Sequence, residues 1–356
     1  MIYKKLGNTD HKISIIGLGT MTFGEQTSRD EAFKIMDFAF ENGINFFDTA
    51  EMYPVYPKKE TQGTSEKIIG EWIISRNVRN KIIIGTKISS SHPKGIGATK
   101  LAWIRGGGNQ LKFDKKNFEE ALSSSLERLK TDYIDLYQLH WPERNVPIFG
   151  NYDYEHDKNE NSWIPIEEVL VTINEFINKK IILNYGLSNE SAWGLMKYLY
   201  EAKNNNLKTP VSIQNAYSLI NRVFDSSISE ISMRESCGLL AYSPLAGGRL
   251  SGKYLKNNKP KNSRFTLWPG RFDRHFTAKG EAAVEKYVRL SSEYKIDPIL
   301  LAHSFVLSRP FLTSSIMGVS KLDQLKNNIK SLDLIIDKEI LNKINKIHNQ
   351  DRNPCA

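Results

Sequence analysis

The chain of 356 residues is short of several things. It has two cysteines, Cys237 and Cys355, which make no disulfide framework and fit a reducing cytoplasm. No window approaches ~18 consecutive apolar residues, so no membrane span is expected. The start of the chain lacks an apolar h-region with a small-residue cleavage site, which argues against secretion and for a cytoplasmic protein. None of the seven histidines falls at HExxH spacing, and no cysteine pair exists, so no metal site is expected. Acidic residues are in deficit: 49 Lys+Arg against 40 Asp+Glu gives 49 − 40 = +9. The excess is spread along the chain with no basic stripe interleaved with aromatics, so no nucleic acid partner is expected. Part of it is available to face an anionic cofactor.

Two glycine motifs lack what they need. Gly17-Leu-Gly19-Thr-Met-Thr-Phe-Gly24 resembles a dinucleotide fingerprint, but its third glycine is misplaced and no acidic residue follows a second strand. Gly247-Gly-Arg-Leu-Ser-Gly252-Lys253 has the spacing of a P-loop, but Tyr254 stands where a Ser or Thr must hold magnesium. Nucleotide hydrolysis is therefore not expected, although the loop amides suit a phosphate.

What is present is alternation. Short apolar runs at 13–18, 44–47, 81–86, 133–139, 181–187, 211–214, 238–242 and 314–317 alternate with amphipathic stretches. Ser28-Arg-Asp-Glu31 is a capping box opening a helix that Gly43 closes. Further helices are expected at 65–75, 114–130, 166–179, 191–203, 225–236 and 278–307, the last broken near Asp297-Pro298. The runs are continuous rather than alternating, as strands buried on both faces require. Eight such units predict an α/β fold, a (β/α)8 TIM barrel forming one domain over 1–356, with a doubly wound sheet as the competitor. The long irregular stretches 89–113 and 141–163 would then lie at the C-terminal face.

Three strand ends carry polar residues that a core does not choose: Asp48 with Tyr53 just beyond it, Lys87, and His140. Taken singly, Asp48 could cap a turn, Tyr53 be a loop aromatic, Lys87 snorkel and His140 be structural. In a barrel they share one mouth. Tyr242 before Ser243-Pro244 is either a flat platform for a ring or a core tyrosine.

Ordered motifs then carry a family likeness. They are Gly17-Leu-Gly-Thr20, Phe47-Asp-Thr-Ala-Glu-Met-Tyr53, Gly63-Thr-Ser-Glu-Lys67, Asp132-Tyr-Ile-Asp-Leu-Tyr-Gln-Leu-His140, Tyr185-Gly-Leu-Ser-Asn189, Tyr242-Ser-Pro-Leu245 and Gly318-Val-Ser320. Over its whole length the chain resembles the aldo-keto reductases, and Thr20–Gln26 and His140-Trp-Pro142 resemble their bacterial Tas-type members. The resemblance implies an NADP(H) cofactor and a small-molecule carbonyl substrate. It implies a catalytic tetrad of Asp48, Tyr53, Lys87 and His140, with Tyr53 as general acid for the forming alkoxide and Lys87 pulling its pKa down. It places Thr20, Met21, Gln26 and Asp48 along the cofactor, Ser188, Asn189 and Gln214 on the carboxamide, and Tyr242 on the nicotinamide ring. Ser243, Pro244, Leu245 and Gly247 would line the pyrophosphate with Lys253 and Arg264. Gly318, Ser320, Gln324 and Asn328 would surround the adenosine 2′-phosphate end. Many members carry a Lys and an Arg where this chain has Gly318 and Gln324, so NADPH preference would rest on Arg264, Lys253 or Lys321.

The expected activity is NADPH-dependent reduction of aldehydes or ketones. The competitors are an NADP(H)-bound regulatory or scaffold subunit, and a sugar-phosphate isomerase or aldolase with Lys87 as Schiff-base lysine. Met52, Trp103, Trp141, Tyr152 and Trp268 are candidates for the substrate pocket, which would suit small aldehydes or quinones.

Overall fold

The structure, a computed structural model, describes residues 1–91, 101, 103–106, 111–151, 153–158, 160, 162–270 and 273–355. Ten strands are described: β1 (Tyr3–Lys5), β2 (Lys12–Ser14), β3 (Ile16–Gly19), β4 (Phe46–Asp48), β5 (Ile83–Ile88), β6 (Ile134–Leu139), β7 (Ile182–Ser188), β8 (Ser212–Ala216), β9 (Gly238–Tyr242) and β10 (Leu312–Gly318). Strands β3 to β10 pair in chain order, all parallel, and β10 closes on β3. This is the expected (β/α)8 barrel, because each buried strand is followed by a crossover that covers its outer face.

The crossovers include α1 (Arg29–Glu41), α2 (Thr64–Arg76), α3 (Lys115–Leu129), α4 (Ile166–Asn178), α5 (Ala192–Asn204), the short α6 (Val223–Ser227), α7 (Ser229–Arg234) and α8 (Arg264–Leu267), then α9 (Ala278–Glu293) and α10 (Pro298–Leu307). Helices α11 (Leu322–Asn328) and α12 (Lys338–Gln350) end the chain. Local chemistry sets their starts. Ser28 accepts from the Glu31 N–H at 3.3 Å, and Asp114 from the Asn117 N–H at 2.8 Å. The break near residue 297 is as expected: Asp297 accepts from the Ile299 N–H at 2.8 Å, and Pro298 occupies the first helical position.

Two expectations need correction. The run 13–18 is not one strand. Its first half joins β1 in an antiparallel hairpin, and the second half enters the barrel as β3. The hairpin plugs the barrel floor, where fully buried Leu6 and Ile13 pack with Phe46, Leu136 and Leu240. The helix expected at 225–236 is two short ones. Ser226 and Ser227 hydroxyls donate to the Val223 carbonyl and Ser229 to that of Asp225, at 3.3, 2.9 and 2.7 Å. Such hydroxyls compete for helical carbonyls and weaken the run.

Three apolar layers result. One lies between strands and helices, one fills the barrel floor, and one covers the mouth. The mouth layer packs Leu101, Ile104 and Leu111 from the first long loop and Trp141 from the second on Ala50, Met52 and Tyr53.

Candidate active site

Register brings the polar strand ends together. Asp48 ends β4 opposite Gly85 of β5, and Lys87, two residues on, pairs with Gln138 of β6. Ser188 at the end of β7 pairs with Gln214 of β8. His140 follows β6 and donates its N–H to the Ile88 carbonyl at 3.0 Å. Tyr53 lies in the turn after β4, fastened by its own N–H to Ala50 O at 3.0 Å and by Gly63 N–H to its carbonyl at 2.9 Å.

The buried centre is an ion pair. Lys87 Nζ donates to Asp48 Oδ2 at 2.6 Å and to the Thr49 carbonyl at 2.7 Å. Lys87 is 0% exposed and Asp48 2%, so pairing is what makes burial of either tolerable. Asp48 Oδ1 accepts from Gln138 Nε2 at 3.1 Å and Gln214 Nε2 at 2.8 Å. Gln214 Nε2 also donates to Gln138 Oε1 at 3.0 Å, so both its protons are used and its carbonyl oxygen is left to accept. Lys87 Nζ sits 5.0 Å from the Tyr53 ring centroid, and Tyr53 and His140 meet edge to face at 5.7 Å.

The electrostatics correct one expectation. Burial, and then the charge of Asp48, pushes the Tyr53 phenol well above its ordinary pKa. The ammonium does not bring it down, because Asp48 compensates its charge at bonding distance and the ring is out of water. Burial lowers the Lys87 ammonium, with Asp48 opposing. Burial and then Lys87 hold His140 well below the usual imidazole range, so the ring is neutral at pH 7. Its Nδ1 is buried with no partner among the described residues.

A cavity of about 960 Å³ extends from this centre across the mouth. Asp48, Tyr53 and His140 form one end of its wall, and Lys87 lies buried beneath Asp48. Thr20, Met21 and Gln26 line the cavity, as do Ser188, Asn189, Gln214 and Tyr242. Ser243, Pro244, Leu245, Gly247, Lys253 and Arg264 line it further along. Gly318, Ser320, Gln324 and Asn328 are on the same wall. Met52 and Trp141 reach the cavity, whereas Trp103 packs in the mouth layer behind it and Trp268 is not on the wall. Tyr152 lies outside the described residues.

Several of these side chains are partnered within the protein. Asn189 Nδ2 donates to the His140 carbonyl at 2.8 Å, and its Oδ1 accepts from the Tyr242 hydroxyl at 2.6 Å. Gln324 Oε1 accepts from the Ser320 N–H at 2.8 Å. The loop at 243–248 turns on four positive φ values, at Ser243, Ala246, Gly247 and Gly248. A Cβ on Gly247 would stand 2.6 Å from the Phe265 ring, so glycine is required there.

The wall suits an extended anionic ligand. Among the described residues it carries Lys253, Lys261, Arg264, Arg274 and Lys321 against Asp48 and Asp323, and Lys87 already balances Asp48. A planar amide has an acceptor waiting in Gln214, and a ring has Tyr242 to face. Lys261 and Arg274 escaped the sequence reading, because they stand in irregular chain where no periodicity singles out a position.

A model of the Aldo/keto reductase family matches residues 15–349, and the chain belongs to that family of oxidoreductases. It is 40% identical over 351 residues to protein tas of Escherichia coli K12, covering 98% of each chain. It is 32% identical over 354 residues to "Uncharacterized oxidoreductase YrpG" of Bacillus subtilis, covering 98% of this chain and 96% of that one. A rice protein, "Probable voltage-gated potassium channel subunit beta", is 29% identical over 350 residues, covering 97% of this chain and 95% of its own.

Proposed function

We propose that the protein is an NADP(H)-dependent reductase of aldehydes or ketones. The observation that carries this reading is the buried Asp48–Lys87 pair beneath Tyr53, with neutral His140 edge-on, at one end of a cavity otherwise rich in cations. When bound, the reduced nicotinamide supplies the hydride.

The residues of the chain do the rest. Neutral His140 donates a hydrogen bond that orients the carbonyl oxygen. Tyr53 keeps its proton through the neutral range and releases it only to a strong base. An alkoxide-like oxygen is a stronger base than a phenolate, so the proton moves downhill once the carbonyl carbon is reduced. Lys87, fixed by Asp48, sits 5.0 Å from the ring centroid and holds the ring in place beside His140. Gln214 accepts from the carboxamide, aided by Ser188 and Asn189, and Tyr242 stacks on the ring. The loop 243–247 with Lys253 and Arg264 holds the pyrophosphate. Gly318, Ser320, Gln324, Asn328 and Lys321 hold the adenosine end, with Thr20, Met21 and Gln26 along the near side.

The test pairs binding with turnover. NADPH and NADH are titrated by fluorescence quenching, and an aldehyde and ketone panel is followed by NADPH absorbance. NADPH is expected to bind more tightly, and Arg264→Ala to weaken it selectively by about tenfold or more, the scale of a lost charged hydrogen bond. Equal affinity for the two cofactors defeats the NADPH assignment. Tight NADPH binding without oxidation across the panel favours the regulatory-subunit reading that the rice relative's name suggests.

A further inference from the structure

Six residues close a ring of contacts around the catalytic end of the cavity, and all six line it. The His140 carbonyl accepts from Asn189 Nδ2 at 2.8 Å, and Asn189 Oδ1 accepts from the Tyr242 hydroxyl at 2.6 Å. Tyr242 neighbours Arg274, whose charge opposes the upward push of burial on the phenol. The Arg274 guanidinium lies 5.3 Å from the Phe149 ring centroid. Phe149 meets Trp141 at 6.4 Å, and Trp141 returns to His140 at 4.5 Å.

Arg274 is the one charged member of this ring. Its Nε donates to His275 Nε2 at 3.3 Å, on a ring held neutral by burial, it neighbours the Tyr242 phenol, and it makes no ion pair among the described side chains. Phe149 lies against it, and Met21, Met52, Val55 and Trp141 join Phe149 in the apolar layer at the mouth. A guanidinium on a cavity wall that pairs with no carboxylate among the described side chains is a strong site for one, because its planar fork matches a carboxylate. Arg264 lies within charge reach of Tyr53 and of Arg274, and with Lys253 it is assigned above to the phosphates of the proposed cofactor.

We infer that Arg274 binds an anionic group on the substrate, so that the preferred substrates are oxo acids: an aldehyde or ketone at Tyr53 and His140, an apolar body, and a carboxylate at Arg274. This rests on the reductase reading above and adds the substrate class to it.

The test compares 4-carboxybenzaldehyde with its neutral methyl ester, methyl 4-formylbenzoate, on the whole protein with NADPH. Wild type is expected to prefer the acid in kcat/KM by about tenfold to a hundredfold, mostly through KM. Arg274→Met should abolish that preference, read as the acid-to-ester ratio of kcat/KM within each protein. Arg274→Lys should restore part of it, which a merely structural role would not do. Binding of both compounds to the NADPH complex is also read by fluorescence. If neither aldehyde is reduced but the acid binds more tightly and loses that advantage in Arg274→Met, the anion site stands and the reductase reading falls. If both are reduced equally well, the reductase reading stands and the anion site falls. If Arg274→Met weakens NADPH instead, Arg274 belongs to the cofactor and the inference is overturned.

Discussion

At the scale of single residues, everything turns on where one proton sits. Tyr53 is buried, and both burial and Asp48 favour its neutral form. Its folded pKa is raised, so it stays protonated as pH climbs through the neutral range. The fall in reduction from loss of this proton is expected above the ordinary phenol value of ~10, and a kcat/KM profile from pH 6 to 11 checks it. A tyrosine-dependent fall centred near neutrality would contradict the geometry. Tyr53→Phe keeps the ring against His140 and removes the proton. Reduction should drop by about 10²-fold or more with NADPH affinity retained. A near wild-type rate would remove Tyr53 from the mechanism. Residue chemistry of this kind was readable in advance where a polar type stands at a strand end, as with Asp48, Lys87 and His140. It was not readable where a charge is cancelled. That Asp48 would mask Lys87 depends on a 2.6 Å contact between side chains 39 positions apart. Arg274 was invisible for a related reason: its place in the ring is set by Phe149 and Tyr242, neither close in sequence.

At the scale of elements, barrel strands and long helices were legible because their burial is periodic or continuous. What escaped was how neighbouring elements compete for the same residues. The run 13–18 reads as one strand, yet Ile15 donates its N–H to Ile2 O at 2.8 Å and turns the chain from hairpin to barrel. The mouth loops show no periodicity, and their ends are fastened by single tethers. Glu143 is one. Its Oε1 accepts from the Phe113 N–H at 2.8 Å and its Oε2 from the Ile164 N–H at 2.9 Å. It thereby joins the end of the first long loop to the end of the second. Burial pushes this carboxyl up to about 7, against the pull of those two N–H groups. Glu143→Ala would leave both amides without their acceptor. We expect a loss of about 1–3 kcal/mol in denaturant unfolding and faster amide exchange at Phe113 and Ile164. Unchanged exchange at both amides would show that the loops are held by the apolar mouth layer instead.

At the scale of the whole molecule, the same burial that builds the barrel fixes how it responds to acid. His140, His275, His303 and His348 are all held below the usual imidazole range, with burial the largest cause for each. A folded pKa below the unfolded one means that the unfolded chain binds the proton first. The stability is fully present above the unfolded value and is lost as pH falls toward the folded one. Glu143 works the other way: its folded value is raised, so acid relieves the cost of its buried charge. His303 isolates the histidine contribution best. It is 1% exposed in α10, neither ring nitrogen has a partner among the described residues, and burial takes it from 6.5 to about 3. A proton there finds no acceptor among the described residues. At about 1.4 kcal/mol per pH unit, two units below the unfolded value correspond to about 3 kcal/mol lost by pH 4.5. His303→Leu fills similar space, removes two unpaired polar atoms and cannot titrate. At pH 7.5 it should be as stable as wild type or slightly more so. Denaturant unfolding without cofactor at pH 7.5 and 4.5 measures the contrast. Contributions from Glu143 and the other histidines are common to both proteins and cancel in the difference. Wild type is expected to lose about 3 kcal/mol more than His303→Leu between the two pH values. An equal loss in both would mean that His303 does not stay neutral because of burial, and that the acid response of the barrel lies elsewhere.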